Sequence, residues 1–437
     1  MRAGLQYRIK ASGFFPCLVI FIALIFLKYF AEVNIPSFVF IFISLIIALS
    51  SDKEEIIIFG ICCIPMLNMF QSKYSLLICM IIYIYRFSNE FKKVNSIVII
   101  LGILMTWELP HALFGQFSLV EYLRIFTELI FFVFVVICDI TDMNFQKLFR
   151  VFALVTISIC FVILLIQLKT FSYNVSLLLN VKNFRLAYAI DDDILGASFN
   201  PNSHAYICLL AIEGLCLLRN SKESKPVDIV MIVLLCIFGV MTLSRKFVLC
   251  GFLFLVLYIL SQNDRKERVK RLFILGIVSI AVILLLSYFF PTIIDSMVNR
   301  FTEDDVTSGR TDLFSFYTNA LFEKPVVLLF GVGLLDYRYK VFSTFGYFNI
   351  PHNGIQELLV MWGIPGLIMF ALLIYFAIKR AKGDNKIPFV YYIPLIVMLF
   401  FIQGAQMVSS SIINMIWVYI YLCLLYGSKQ FTKLSIK

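Results

Sequence analysis

Apolar residues fill this chain in continuous runs, not in alternation. Runs of helical span length fall near 13–31, 35–50, 55–71, 72–87, 95–110, 119–138, 150–168, 204–218, 227–243, 246–261, 271–290, 353–378, 387–405 and 408–426. A bilayer core asks for about 17–25 apolar residues per helix, so the pattern predicts an all-α polytopic membrane protein of about 12–14 transmembrane helices. The short run at 72–87 and the break near Pro110 set that spread. A β-barrel is excluded, because its strands alternate lipid-facing and lumen-facing residues. The first run follows Arg2, Arg8 and Lys10 like a signal-peptide core, but no small-residue cleavage site follows it. A retained signal anchor is expected.

Two polar segments interrupt the runs and divide the chain. N-terminal spans occupy 1–168, a first long loop 169–203, central spans 204–290, a second long loop 291–352 and C-terminal spans 353–437. Loops of this length usually carry function. Within the second loop, Leu313, Tyr317, Ala320 and Leu321 repeat at helical spacing, Ser308 or Thr311 can cap, and Pro325 stops the pattern. An amphipathic helix over 310–323 follows.

Composition agrees with the pattern. Hydrophobic residues make up 61% and charged residues 15%, against about 45–50% and about 25% in soluble domains. Soluble, disordered and collagen-like chains are excluded. The net charge of +10 suggests nucleic acid only until its placement is considered. With a cytoplasmic N-terminus, 24 of the 37 basic residues fall in cytoplasmic segments and five in short outer ones, the rest lying in the two long loops. That is the positive-inside pattern. It predicts both termini inside, both long loops outside and no nucleic-acid partner. The basic stretch 265–271 is then a topology determinant, with anionic-lipid contact as the minor alternative. All eleven cysteines lie in apolar runs, and a spacing such as Cys62-Cys63 suits no zinc site, so no metal is expected from them. Asp191–Asp193 reads as a solvated run, since three adjacent carboxylates cannot all face one ion.

Chemistry-bearing residues gather near the loops. Thr242-Leu-Ser-Arg-Lys246 puts two cations where a span should meet the outer surface, a costly position unless they face a cavity or a partner. Arg245 can offer a planar fork to a diphosphate. Arg310 stands at the start of the loop-two helix, where free N–H groups favour anions. That loop is net −2, so any anion site rests on singly placed residues such as Arg310 and Arg338. In Pro351-His-Asn-Gly354, His352 can exchange a proton near neutral pH and Asn353 can cap a helix or bind a hydroxyl. Loop one carries Arg185 and ends Phe199-Asn-Pro-Asn-Ser203, with Asn202 or Ser203 as an N-cap. Inside the spans, Glu121, Arg124 and Glu128 share one helix face, and Glu213 has no evident local partner. Intramembrane acids are functional candidates by default, hence Glu128 and Glu213. P-loop, GxGxxG, HExxH and GxSxG patterns are missing, which argues against an ATP-driven pump, a nicotinamide enzyme, a zinc protease and an esterase.

The ordered set Arg185…Phe199-Asn-Pro-Asn202, Leu243-Ser-Arg245, Gly309-Arg310…Lys324-Pro325…Gly331-Val-Gly333 and His352-Asn353…Trp362-Gly-Ile-Pro-Gly366 resembles the O-antigen polymerases and O-antigen ligases of bacterial surface polysaccharide assembly. The resemblance covers mainly 185–366. It implies a glycosyltransferase of the bacterial inner membrane, active at the periplasmic face on undecaprenyl-diphosphate-linked oligosaccharide, without nucleotide-sugar, metal or other cofactor. A chain-length regulator and a flippase are the implied protein partners, and membrane lipid the surroundings. The favoured activity is polymerisation. The alternatives are a ligase that transfers glycan to lipid A core and, from another class, a lipid-linked-oligosaccharide flippase. Arg245 and Arg310 are expected to hold the diphosphate. His352 is expected either to take the acceptor proton or to hydrogen-bond the diphosphate, with Arg185, Asn202, Asn353 and Arg338 binding substrate.

Overall fold

The computed structural model describes residues 13–67, 69–87, 96–113, 119–138, 140, 143–170, 172–174, 186, 201–262, 310–347, 349–405, 407 and 411–435, with scattered positions between 264 and 298. The helices are α1 (Phe14–Tyr29), α2 (Ser37–Ser50), α3 (Lys53–Cys62), α4 (Ser72–Phe87), α5 (Ser96–Leu113), α6 (Leu119–Ile137), α7 (Phe145–Thr170), α8 (Pro201–Asn220), α9 (Pro226–Met241) and α10 (Arg245–Leu260). After loop two begins come α11 (Arg310–Glu323), α12 (Pro325–Phe330), α13 (Tyr337–Phe345), α14 (Gly354–Lys382), α15 (Ile393–Phe401) and α16 (Ser411–Ser435). No strand occurs among the described residues. The protein is an all-α polytopic membrane protein. By length and apolar composition α5, α7, α8 and α14 can each cross a bilayer unaided, and α1, α2, α9 and the 389–404 segment are shorter apolar helices.

Local sequence explains most helix ends. Asp52 caps α3 with Glu55 in reciprocal bonds of 2.9 and 3.2 Å, so both exposed amides of that turn are satisfied. Cys62 ends α3 after 10 residues, and a 3₁₀ turn over Ile64–Met66 continues the path. The 55–71 run is therefore a broken segment, not one continuous helix. Pro226 opens α9 at a position where its missing N–H costs nothing. Pro110, expected to mark a break, sits inside α5, which continues to Leu113. Helix-interior proline is tolerated in membranes when neighbours satisfy the freed backbone.

The predicted loop-two helix is present with the predicted bounds, 310–323, and its buried residues are Leu313, Tyr317, Ala320 and Leu321. Pro325 then starts α12 instead of ending in coil. Ser308 lies outside the described residues.

The longest span, α14, is broken. Gly363 has φ +66° and ψ −168°, and Pro365 follows it. A broken helix leaves carbonyls unpaired, which lipid does not forgive. Here the carbonyls of Val360, Met361 and Trp362 find donors. Val332 N–H donates to Val360 O and Gly333 N–H to Met361 O, both at 2.8 Å, while the Trp107 indole donates to Trp362 O at 3.0 Å. The segment Gly331–Leu335 thus straps loop two onto the break. A Cβ at Gly331 would lie 2.2 Å from Met361 O, and one at Gly363 2.4 Å from Leu329 O; only glycine permits the approach. Glu108 completes the clamp. It is fully buried and accepts from Leu334 N at 2.8 Å, Leu335 N at 3.1 Å and the Trp362 indole at 2.7 Å.

Candidate functional site

The chain reverses between α9 and α10 at Leu243, a non-glycine residue at φ +47°. Ser244 then takes the N-cap position of α10 in extended geometry, so Arg245 and Lys246 open the helix. The Ser244 hydroxyl donates to Asn202 Oδ1 at 2.8 Å, joining the start of α8 to the start of α10. Loop one reaches the same corner, because Leu186 is fully buried and its N–H donates to Met241 O at 2.7 Å. Its neighbour Arg185 lies outside the described residues, as do Asn200 and Asp191–Asp193.

Asn353 is the N-cap of α14. Its Oδ1 accepts from Ile355 N at 3.0 Å and Gln356 N at 3.2 Å, and its Nδ2 donates to Gln403 O at 3.2 Å and Gln403 Oε1 at 3.1 Å. Gln356 donates to Phe314 O at 2.7 Å and Thr318 Oγ1 at 2.8 Å, lashing α11 to α14. Tyr317 adds a hydroxyl bond of 2.5 Å to Asn349 O. The Lys246 ammonium donates to Gly404 O and sits 4.6 Å above the Phe401 ring. A side chain built at Gly404 would meet Lys246 Nζ at 3.5 Å and Arg310 Nη1 at 4.0 Å. Four chain segments therefore converge: the starts of α10, α11 and α14, and the polar end of the 389–404 segment.

The gathered charges act on one another. Burial and the charge of Arg245 both lower the proton affinity of Arg310. His352 is held below the ordinary imidazole value by burial first, then by Arg310, Lys246 and Arg338. Arg338 is itself exposed on α13, beside a cavity of 440 Å³ lined also by Ile125, Tyr337 and Ile350. The structure thus gathers Arg245, Arg310, His352, Asn353 and Asn202 at one end of the bundle, with Arg338 within electrostatic reach. A surplus of cations with one neutral imidazole suits a polyanion such as a phosphate or diphosphate.

Four residues that shape this region were not read from the sequence. Lys246 was noted in its motif but not singled out. Gln403 and Gly404 were absorbed into an apolar run, although a Gln-Gly pair between two spans is a visible polar interruption. Glu108 was not noticed at all.

Of the intramembrane acids, Glu128 lies 3.5 Å from Lys73 on α4, a partner the sequence spacing with Arg124 did not suggest. The Glu121 side chain is outside the described residues. Glu213 is fully buried, neither of its oxygens has a hydrogen bond among the described residues, and it lies within electrostatic reach of Cys250 and Cys423.

A search of curated proteins gave no match. Residues 230–371, about a third of the chain, match the O-antigen ligase family model, and this stretch, similar to that family, carries Arg245, Arg310, the Gly331–Gly333 strap, His352 and the α14 break.

Proposed function

We propose that this protein is a surface-polysaccharide polymerase. It moves a growing glycan from undecaprenyl diphosphate to the sugar hydroxyl of a new lipid-linked repeat unit, at the periplasmic face of the inner membrane. The observation that carries the reading is the convergence of Lys246 and Arg310 on Gly404, with Arg245 acting on Arg310 and with His352 within reach of Arg310 and Lys246. Breaking the sugar–phosphate bond leaves negative charge on the diphosphate, and preorganised cations stabilise that charge as it develops. Two guanidinium forks can each hold two phosphate oxygens, which a single ammonium cannot.

His352 enters the reaction neutral, because burial and cations depress its proton affinity. An empty site therefore makes it a poor base. Bound diphosphate offsets the charge of Arg310 and Lys246, and the imidazole regains basicity when an acceptor hydroxyl needs one. Asn353 commits its side chain to the α14 cap and Gln403, and Asn202 its Oδ1 to Ser244, so both act by positioning the cation cluster and not by binding sugar.

A second reading, ligation of finished glycan to lipid A core, is favoured by the description of the matching family model. Both readings use the same donor chemistry, so the glycan profile of a null strain separates them. A single capped repeat unit supports polymerisation. Long chains retained on the lipid carrier support ligation, and repeat units trapped inside the cell would overturn both in favour of a flippase.

A further inference from the structure

Away from the cation cluster, α7 and α8 bring together three soft-metal ligands distant in sequence. Cys160 lies on α7, and His204 and Cys208 lie one turn apart on α8. The Cys160 sulfur is 3.2 Å from His204 Nε2 and 3.7 Å from the Cys208 sulfur. All three ligand atoms lie within 4.8 Å of one another, and the side chains are at most 1% exposed.

These spacings can be compared with a metal polyhedron. Bonds of about 2.3 Å to sulfur and about 2.0–2.1 Å to imidazole nitrogen around a tetrahedral ion put two sulfurs about 3.8 Å apart, and sulfur and nitrogen about 3.6 Å apart. The sulfur pair already has that separation, and the imidazole nitrogen stands a few tenths of an ångström too close to Cys160 and within 4.8 Å of the Cys208 sulfur. Charge points the same way. Two thiolates and a neutral imidazole around a divalent ion sum to zero, the charge state that a buried intramembrane position tolerates best. A monovalent ion would leave a net negative charge there, and hard cations such as Mg²⁺ prefer oxygen ligands.

We propose that Cys160, His204 and Cys208 form a binding site for a soft divalent ion of the zinc class, bracing α7 against the start of α8. On binding, the two thiols release their protons to solvent and form two metal–sulfur bonds, and His204 contributes its Nε2 lone pair. The fourth position is left to water, which keeps the site neutral. No oxidation or reduction is involved. His204 lies two residues beyond Asn202, whose bond to Ser244 holds the start of α10. A loaded site would therefore stiffen one wall of the cation cluster without touching substrate.

The test uses the full chain, purified reduced in detergent. It is titrated with Zn²⁺ and, in parallel, with Cd²⁺, whose thiolate charge-transfer band counts the coordinating sulfurs. One ion per chain with a band for two thiolates is expected, together with a rise in thermal stability on Zn²⁺ loading. The Cys160→Ser/Cys208→Ser variant should lose the band and the stabilisation. The Cys62→Ser/Cys63→Ser variant, altering a different buried pair, should keep both. The wild-type Cd²⁺ spectrum stands even where a variant folds poorly. Absence of stoichiometric binding with the thiols reduced, or unchanged binding in the Cys160/Cys208 variant, would overturn the proposal. So would recovery of a Cys160–Cys208 disulfide from cells whose thiols were blocked at lysis.

Discussion

Replacing Glu108 by alanine tests the idea that loop two is held by the broken span. The carboxylate receives two backbone N–H groups, from Leu334 and Leu335, and the Trp362 indole, at 2.7–3.1 Å. A hydrogen bond to a charged group contributes about 1.5–3 kcal/mol, so three contribute about 4–6 kcal/mol once their sharing of one acceptor is discounted. The loss falls on the strap, since Leu334 and Leu335 can regain partners only by opening to water. With a factor of ten for every 1.4 kcal/mol, local opening should become about 10³–10⁴ times more frequent. Hydrogen exchange at the amides of 332–335 reads that opening directly. Glu108→Gln keeps one acceptor oxygen, so its effect should be about ten- to a hundredfold. Exchange in Glu108→Ala within about threefold of the native chain would refute the clamp, and show that the backbone bonds to Val360 and Met361 suffice alone.

Three further outcomes follow. Arg245→Ala, Arg310→Ala and His352→Ala should each lower transfer by about 10²–10³, read as loss of long polysaccharide on complementation of a null strain with membrane expression verified. Arg→Lys at either position should restore only part of it. On the proposed mechanism the base is neutral His352, whose proton affinity in the free protein is lowered, so kcat/KM should hold through neutral pH and fall only below the ordinary imidazole value of 6.5. Arg338→Gln removes one of the charges that lower it, and the acidic limb should move to higher pH. Among the left-handed glycines, Gly346→Ala has open space around it, whereas Gly363→Ala meets Leu329 O at 2.4 Å. Folded yield should drop sharply for Gly363→Ala, while Gly346→Ala bears only a backbone strain of about 1 kcal/mol.

What was legible in the sequence was local. The loop-two helix was readable because Leu313, Tyr317, Ala320 and Leu321 announce one face, with Pro325 beyond the end. The spans were readable because lipid demands long apolar runs. Arg245, Arg310 and His352 could be nominated because a cation or imidazole at a span end has few idle reasons to be there. The strap was illegible for a physical reason. Its bonds run between backbone atoms of 332–333 and 360–361, and backbone pairing between such distant segments leaves no side-chain pattern. Glu108 was hidden by Pro110, which read as a break and drew attention from a buried carboxylate one half-turn away. The Cys160, His204 and Cys208 trio was half visible, since His204 and Cys208 are four apart on one helix face, but Cys160 lies 44 positions before His204 and only the fold supplies it.

The break in α14 and the placement of the cation cluster have one cause. A membrane span can be interrupted only where protein groups satisfy the freed backbone. Loop two meets that demand with the amides of Val332 and Gly333. The same loop carries Arg310 before the strap and His352 after it. Fixing the strap to the break therefore limits where both residues can stand. The bonds of Gln356 to α11 and of Asn353 to Gln403 then settle them against Lys246 and Gly404. In this fold Gly363 and Pro365 are not a defect that the site tolerates. They create the unpaired carbonyls that recruit the loop, and the loop brings Arg310 and His352 to Lys246 and Gly404 at one end of the bundle.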